Sequence, residues 1–358
     1  MTSDGNAPGA GGEGKLVAVT GASGYLGSHL VELLLGEGYR VRGVVRDPGR
    51  AEKVAHLRRL AEGAAHPLEL VAGDLLAPGS FDEAFRGCEA VFHLASSVRL
   101  RAKDPQAEIV DVAVKGTRNV LESARKAGSV ETVVLTSSVA AVTGHDRPEG
   151  HVFTEKDWNQ TSTLKDEPYP LAKTLAERAA WEYHEGLPEP ERFRLVALCP
   201  VVVLGPLLAK AHYRSSPNLV GDIFFGGLPA CPRIFLSMVD VRDVALAHLR
   251  ALGRPEAKGR YILQAGGLWM QEIGRVLAPR FPGHPVRTRR LPDLALYAAS
   301  LFDKRLSFGW VRRTVGKVTR LDDSRARSEL GVTYRPLEDT LTETCQSFVE
   351  LGLGPRKR

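Results

Sequence analysis

The 358-residue chain has few of the residues and patterns that mark several large protein classes. Its four cysteines, Cys88, Cys199, Cys231 and Cys345, form no Cys-x-x-Cys pair and no cysteine–histidine cluster. This spacing predicts no metal site and free thiols in a reducing compartment. No apolar run approaches the ~18 residues of a membrane span, and residues 1–14 lack the basic start and apolar core of a signal peptide. We therefore expect a soluble, cytoplasmic protein.

The composition is that of an ordinary globular protein, with 43% hydrophobic and 25% charged residues. The net charge of +6 is concentrated between residues 280 and 320, where ten Lys or Arg accompany only Asp293 and Asp303. Such a segment suits an anionic ligand, a membrane surface or nucleic acid, but a solvated helix surface is the simpler interpretation. The lack of interleaved aromatic residues argues against nucleic acid. The apolar stretch at 294–302 leaves peripheral membrane contact open, although a core helix is favoured.

Short apolar runs alternate with amphipathic stretches over the first 205 residues. Strands are predicted at 16–19, 40–45, 68–71, 90–94, 132–136 and 194–198, and helices at 26–36, 51–62, 106–127 and 170–185. This alternation predicts an α/β fold of the Rossmann type, a doubly wound parallel sheet with helices on both faces.

The chain is expected to divide into four parts. Residues 1–14 form a flexible leader, and residues 15–205 together with 237–265 form a dinucleotide-binding domain. Residues 206–236 and 266–340 form a smaller, mostly helical substrate lobe, and residues 341–358 form a C-terminal helix and a basic tail. The Pro- and Gly-rich composition of 206–236 marks the change of organisation.

A glycine-rich turn lies between the first strand and the first helix, with the sequence TGASGYLG at residues 20–27. Gly21, Gly24 and Gly27 suit a tight turn, a close backbone approach to a pyrophosphate and close helix–strand packing. The free N–H groups of the following helix favour phosphates. A merely tight turn does not explain three glycines at this spacing, so the pattern predicts dinucleotide binding.

The end of the second strand indicates which dinucleotide is bound. An NAD site usually has an acidic residue about 20 residues after the glycines, whereas this chain has Arg46, followed by Asp47. The guanidinium of Arg46 suits the 2′-phosphate of NADPH. Asp47 leaves NADH binding open, and an exposed strand-end arginine needs no ligand. NADPH is the expected cofactor, with NADH less favoured.

Tyr169 and Lys173 form a Tyr-x-x-x-Lys pair at the head of a predicted helix. A free tyrosine titrates near ~10, and a lysine four residues on lies on the same helix face, where its charge favours the phenolate. Tyr169 then suits general acid catalysis toward a carbonyl oxygen, while a serine hydroxyl holds the same oxygen. Because Pro170 follows it, Tyr169 is expected at the helix cap.

These residues belong to an ordered set of motifs. The set comprises TGASGYLG at 20–27, GDL at 73–75, FHLA at 92–95, GTRNVL at 116–121, TSS at 136–138, YPLAK at 169–173 and VDVRDVA at 239–245. In this order the sequence resembles the extended short-chain dehydrogenase/reductases, and within them the dihydroflavonol-reductase-like and aldehyde-reductase branch. The segment 206–236 matches no branch closely, so the resemblance leaves the substrate open.

The resemblance implies roles for individual residues. Ser138, with Ser137 as the alternative, would hold the substrate oxygen beside Tyr169, and Lys173 would also hold the nicotinamide ribose. Independently of the resemblance, His93 is expected to be a hydrogen-bonded structural residue. The implied cofactor-binding set, which includes no metal ligand, is Thr20, Gly21, Ser23, Gly24, Tyr25, Leu26, Gly27, Arg46, Asp74, Leu75, Leu94, Ala95, Ser96, Thr136, Tyr169, Lys173, Pro200 and Val203.

The expected function is NADPH-dependent hydride transfer to a ketone or aldehyde of an apolar small molecule, in a monomer or homodimer. Three alternatives stay open at this point: an NAD-dependent hydroxysteroid or sterol dehydrogenase, a nucleotide-sugar epimerase, and a non-catalytic NADP-binding sensor. Arg46 argues against the first of these. The complete Ser, Tyr and Lys set argues against the last.

Overall fold

The computed structural model describes residues 12–96, 102–302 and 308–355. Most of the predicted leader and the basic residues 356–358 lie outside these ranges. The strands are β1 (Leu16–Thr20), β2 (Arg40–Val45), β3 (Glu69–Ala72), β4 (Ala90–His93), β5 (Thr132–Thr136), β6 (Val152–Phe153), β7 (Arg194–Pro200), β8 (Val202–Leu204), β9 (Phe235–Asp240), β10 (Gly259–Leu263), β11 (Gly266–Trp269) and β12 (Arg320–Leu321).

The helices cover the faces of the sheet and build most of the second lobe. They are α1 (Tyr25–Gly36), α2 (Ala51–Leu60), α3 (Asp82–Phe85), α4 (Asp111–Ala127), α5 (Pro168–Glu185), α6 (Asn218–Phe224), α7 (Val241–Gly253), α8 (Met270–Leu277), α9 (Asp293–Phe302), α10 (Phe308–Thr314), α11 (Ser324–Glu329) and α12 (Leu337–Glu350).

A parallel sheet forms the centre of the molecule, and within the described ranges it has seven strands in the order β3-β2-β1-β4-β5-β7-β10. The order in which strands are added to the sheet reverses at β1: β2 and β3 lie on one side of it, and β4 and the later strands lie on the other. This reversal opens a crevice between β1 and β4 at the carboxyl ends of the strands, where such sheets bind ligands. Both faces of the sheet are buried. In β1, Val17 and Val19 join the apolar core that includes Leu30 and Leu34 of α1, and Ala18 joins the core of the opposite face. This two-sided burial explains the continuous apolar run in the sequence.

The second lobe is built around a small sheet with the order β11-β9-β8. The sequence predicts that residues 237–265 return to the main sheet, and the structure divides this segment. β9 pairs with β8 and β11 in the small sheet, whereas β10 pairs with β7 at the edge of the main sheet. Aromatic side chains fill the core of the lobe, with the rings of Phe224 and Phe281 at 5.1 Å and those of Phe224 and Phe348 at 5.9 Å.

Three predicted helices differ in detail from the observed ones. The helix expected at 106–127 begins with a π-helical turn, Gln106–Val110, before α4. The C-terminal helix, expected within 341–358, is α12 and begins at Leu337. The stretch 294–302, for which a core helix was favoured, is α9, which buries Leu296 but leaves Leu294 80% and Leu301 70% exposed. Within the described ranges, no helix is long and apolar enough to cross a bilayer.

Candidate active site

The glycine-rich turn joins β1 to α1 at the crevice of the main sheet. Gly21 has φ +70°, and a Cβ there would lie 2.9 Å from the backbone of Ala95. A Cβ on Gly27 would lie 2.2 Å from the carbonyl oxygen of Gly21. Both positions therefore require glycine, because the turn packs directly against neighbouring backbone. No side chain caps the start of α1 at Gly24, so its first N–H groups are available to an anion such as a diphosphate.

The other residues of the turn offer mainly their backbone to a cofactor. The side chain of Tyr25 is buried and donates a hydrogen bond to the Gly205 carbonyl oxygen at 2.8 Å. The carbonyl oxygen of Ser23 lies 3.3 Å from His212 Nε2. The turn is thus tied on its outer side to the second lobe. Leu26 is half-buried at the start of α1.

The buried side chain of Thr20 links the carboxyl ends of β1 and β4. Its side chain is 0% exposed, and Oγ1 accepts hydrogen bonds from the N–H groups of Leu94 at 3.2 Å and Ala95 at 3.1 Å. His93 Nδ1 lies 2.9 Å from the same oxygen. Thr20 therefore shapes the floor of the crevice, and Leu94, Ala95 and the half-buried Ser96 line it.

Arg46 follows β2 directly and is exposed. It has no hydrogen bond or ion pair with the part of the chain that the structure describes, so its guanidinium is available to a phosphate. The Asp47 carboxylate instead accepts the Gly49 N–H at 3.0 Å, which engages it in the turn that leads to α2. Two further exposed cations follow this strand end, Arg50, which pairs with Glu52 at 2.8 Å, and Lys53 in the first turn of α2. No motif in the sequence marks Lys53, and its position in the helix that follows Arg46 is its only signal.

Helix α4 fixes the loop after β3, which contains Asp74 and Leu75. The Asn119 side-chain amide donates to the Ala77 carbonyl oxygen at 2.7 Å. A Cβ on Gly116 would lie 2.9 Å from the Leu75 Cβ, so glycine allows the helix to approach the loop closely. Asn119 is therefore a positioning residue for the edge of the crevice. Its only signal in the sequence is membership of the GTRNVL motif.

Ser138 and Tyr169 meet at the carboxyl end of β5. The Ser138 Oγ accepts the Ala140 N–H at 3.1 Å and so caps a short 3₁₀ helix, Val139–Ala141. This leaves the hydroxyl hydrogen of Ser138 to donate toward the phenol oxygen of Tyr169. Burial raises the pKa of Tyr169, and the hydrogen bond from Ser138 opposes that rise. The sequence placed Tyr169 at the helix cap, whereas α5 begins at Pro168 and Tyr169 lies in its first turn.

Lys173 lies one helical turn after Tyr169. Its Nζ donates to the carbonyl oxygen of Thr136 at 3.2 Å. Burial lowers the pKa of Lys173 to about 8, and the charge of Glu177 opposes that effect. The sequence assigned the lowering of the Tyr169 pKa to Lys173, whereas the neighbour that lowers it in the structure is Ser138. Lys173 is thus an amine that can change its protonation state near neutral pH.

Ser137, the alternative to Ser138, points away from Tyr169 into a buried polar cluster. Its Oγ donates to Glu177 Oε2 at 2.5 Å. Glu177 Oε1 accepts from Arg260 Nε at 2.6 Å, and the Arg260 guanidinium lies 3.9 Å from the centre of the Trp158 ring. The geometry therefore brings Ser138, and not Ser137, to Tyr169. Trp158 belongs to the packing around this cluster.

Three further predicted cofactor-binding positions lie at or just after the carboxyl ends of strands of the main sheet. Thr136 ends β5, and its hydroxyl donates to His248 Nε2 at 2.7 Å, because His248 Nδ1 is already the donor to the Val244 carbonyl oxygen at 2.7 Å. Thr136 therefore offers its backbone to the crevice. Pro200 ends β7, and Val203 lies in β8. Among the described residues no group of acidic, His or Cys side chains is arranged to hold a metal ion.

Comparison with known proteins identifies the family. A model described as "NAD dependent epimerase/dehydratase family" matches residues 17–266. The chain is 36% identical over 344 residues to cinnamoyl-CoA reductase CAD2 of Medicago truncatula, with 94% of this chain and 96% of that protein covered. It is 32% identical over 306 residues to dihydroflavonol 4-reductase of Gerbera hybrida, with 82% and 81% covered.

A solved structure is similar over nearly its whole length. The complex of Gre2 with NADPH from Candida albicans has a TM-score of 0.77 and 28% identity, with 94% of this chain and 99% of that chain covered. The chain therefore belongs to the NAD dependent epimerase/dehydratase family, in the extended short-chain dehydrogenase/reductase branch related to dihydroflavonol reductase, and it is an NADPH-dependent oxidoreductase acting on C=O and CH–OH groups.

Proposed function

We propose that this oxidoreductase reduces a ketone or aldehyde carried by an apolar, ring-containing small molecule. NADPH supplies the hydride to the carbonyl carbon. Ser138 donates a hydrogen bond to the carbonyl oxygen, and Tyr169 transfers its phenolic proton to that oxygen as the alkoxide forms. Lys173 holds the nicotinamide ribose and stabilises the resulting phenolate. The observation that carries this proposal is that the Ser138 hydroxyl lies beside the Tyr169 phenol and opposes the rise of its pKa, with Lys173 one turn further along α5.

The cofactor set proposed from the sequence is consistent with the residues that the crevice presents. The uncapped start of α1 and the glycines of the turn suit the diphosphate. Asp74 and Leu75 would flank the adenine, Leu94, Ala95 and Ser96 the middle of the cofactor, and Pro200 and Val203 the nicotinamide. The availability of Arg46 and the engagement of Asp47 by Gly49 support NADPH over NADH. They also weigh against the NAD-dependent dehydrogenase alternative.

The ring-containing substrate is supported by the names of the relatives. Cinnamoyl-CoA reductase and dihydroflavonol 4-reductase are named for compounds in which the reacting carbonyl is attached to a ring system or conjugated with one. We expect the segment 206–236, which matches no branch of the family closely, to decide which compound is reduced.

Replacement of Tyr169 by phenylalanine tests the proposal. The variant should lose about 100-fold or more in turnover, because it removes the proton donor, while NADPH affinity changes little. Tyr183→Phe is a matched control in the same helix, because the Tyr183 hydroxyl donates to Glu122 away from the crevice. Initial rates of NADPH oxidation against a panel of aromatic ketones and aldehydes give the measurement. Full turnover by the Tyr169 variant would show that another group donates the proton.

The cysteines support a proposal about the cellular compartment. All four cysteines are free and buried, which supports a reducing compartment such as the cytoplasm. We propose that a monomer or homodimer is the functional unit.

A further inference from the structure

Helix α9 has an outer side without polar residues. On its inner side Leu296 is 8% exposed and packs with Val311 of α10 in a small apolar cluster. A helix on a protein surface normally carries polar residues on the side that faces water. In α9 the exposed residues as far as position 301 are all apolar, namely Leu294, Ala295, Ala298, Ala299 and Leu301. Leu294, Ala298 and Leu301 follow one line along the helix, at the spacing i, i+4 and i+7.

The first residue of α10 extends this apolar surface. Phe308 is 51% exposed, and its ring lies 5.7 Å from the ring of Tyr297 in α9. Leu294, at 80%, and Leu301, at 70%, are the most exposed large hydrophobic residues in the described ranges, and four of the nine such residues lie between positions 294 and 318. Single exposed apolar residues are ordinary, whereas a cluster marks an interaction site. We call Leu294, Ala298, Leu301 and Phe308 the α9–α10 patch.

The residues around the α9–α10 patch are strongly cationic. Residues 280–302 and 308–320 contain eight Lys or Arg and a single acidic residue, Asp293. The Asp293 carboxylate pairs with Arg233 at 2.6 Å and with Arg290 at 3.2 Å, so its charge is already compensated. Arg290 is 50% exposed beside the start of α9. Arg312 is exposed one helical turn after Phe308, on the same side of α10. Cations therefore flank the patch in both helices.

The combination of exposed leucines and flanking cations specifies the kind of partner. A second copy of the chain on a two-fold axis would bring the same surface to both sides of the contact, so the flanking arginines would repel each other. Nucleic acid would pair with the arginines but would leave Leu294 and Leu301 without an apolar partner. An anionic bilayer offers negative headgroups to the cations and acyl chains to the leucines. It is the partner that matches both features.

We propose that the α9–α10 patch binds peripherally to the surface of an anionic lipid membrane. Leu294, Leu301 and Phe308 enter the boundary between headgroups and acyl chains, and Arg290 and Arg312 meet the headgroup phosphates. Such binding places the enzyme where apolar compounds concentrate. That consequence rests on the proposed function, whereas the membrane contact stands without it.

Flotation of the full chain with lipid vesicles tests the proposal. One set of vesicles is pure phosphatidylcholine, and the other contains about 30% phosphatidylserine, which supplies the negative surface charge. The partition coefficient should be at least about tenfold higher for the anionic vesicles, because each arginine near such a surface contributes to binding. It should fall as salt is raised from about 0.1 M to about 1 M, since screening shortens the range of the attraction.

Substitutions of exposed residues separate the apolar and the charged contributions. The double variant Leu294→Ser/Leu301→Ser should lower the partition coefficient about tenfold or more, because it removes apolar area that the membrane buries. Arg312→Glu should lower it about tenfold through its charge. Val349→Ser and Arg86→Glu are matched controls outside the patch, since these residues are 43% and 74% exposed, and they should stay within about twofold of the wild type. All these variants should keep the wild-type Tm and reduce a water-soluble carbonyl compound normally without vesicles.

Three results would overturn the proposal. The first is no binding to the anionic vesicles at the lower salt concentration, or equal binding to both kinds of vesicle. The second is undiminished binding of the double leucine variant, which would mean that overall charge and not the patch holds the protein. The third is a dimer in light scattering that the double leucine variant abolishes, which would assign the patch to a second copy of the chain. Tyr169→Phe should bind vesicles like the wild type, so the flotation result and the test of the proposed function are independent.

Discussion

Replacing Glu177 by glutamine removes one charge from a buried ion pair beneath the active site. Glu177 is 1% and Arg260 6% exposed, and the two are joined at 2.6 Å. Ser137 and Trp181 also donate to the carboxylate, at 2.5 Å and 3.2 Å. Glutamine keeps the shape of the side chain but leaves the guanidinium of Arg260 buried without its counter-charge. Breaking such a pair costs about 3–5 kcal/mol of the free energy of unfolding.

This cost corresponds to a measurable change in the melting temperature. For a chain of 358 residues the entropy of unfolding is about 0.75 kcal/mol per kelvin. We therefore expect Glu177→Gln to lower the Tm by about 4–7 °C in thermal unfolding followed by circular dichroism. The double variant Glu177→Gln/Arg260→Met removes both charges and should recover most of the loss, because an apolar replacement of the whole pair is often neutral.

A matched control exists in the same helix. Glu182 is 72% exposed and pairs with Arg118 at 2.6 Å on the surface, where an ion pair contributes at most about 1 kcal/mol. Glu182→Gln should therefore change the Tm by no more than about 1 °C. The reasoning is refuted if Glu177→Gln melts with the wild type, or if the two glutamine variants lose the same amount.

The same substitution should act on Lys173. The charge of Glu177 opposes the burial that lowers the pKa of Lys173 to about 8, so Glu177→Gln should lower that pKa further. Because the proposed role of Lys173 requires its ammonium form, the basic limb of the pH–activity profile should move to lower pH. The double variant with Arg260→Met should keep this shift while its Tm recovers. An unshifted limb would mean that Lys173 does not control activity in this range.

Two further predictions concern pH stability and cofactor choice. Burial lowers the pKa of His93 to about 3 and those of His212 and His248 to about 4. The unfolded chain therefore takes up protons below pH ~6.5 that the folded chain does not, and each histidine removes up to ~1.4 kcal/mol per pH unit as pH falls from ~6.5 toward 4. The Tm should fall steadily over this range and less steeply in His248→Gln, and a flat Tm would contradict the burial argument. Arg46→Ala should raise the KM for NADPH about 10- to 100-fold, the effect of losing charged hydrogen bonds, and leave NADH kinetics nearly unchanged. Equal effects on both cofactors would show that Arg46 does not contact the 2′-phosphate.

The nucleotide-binding half could be predicted from local sequence patterns because its determinants are local. A strand buried on both faces is a short apolar run, as in β1, and the phosphate turn needs glycine where backbone packs on backbone, as Gly21 does against Ala95. The spacing of Tyr169 and Lys173 is one helical turn, so the sequence also places them on one face of α5. These features require no knowledge of distant contacts.

Features that depend on partners far away in the chain were not predictable in this way. The sequence of β9 does not distinguish it from a strand of the main sheet. Only its pairing with β8 and β11 assigns it to the small sheet. The apolar run in α9 was interpreted as a core helix, yet the lobe covers Leu296 and leaves Leu294 exposed. Hydrophobicity alone does not specify which side of a helix finds a partner.

The sequence by itself determined the fold class, and it predicted the glycine-rich turn and the residue types of the proposed active site. Tertiary structure decided the direction in which neighbouring residues point. Ser137 and Ser138 are equivalent in the sequence, but the carboxylate of Glu177 binds the first, and the second is left for Tyr169. His93 is an ordinary strand-end residue until the fold brings Thr20, 73 positions away, to within 2.9 Å of its Nδ1. The physical reason is that hydrogen-bond partners and burial are properties of the folded neighbourhood, which brings together groups that no local pattern relates.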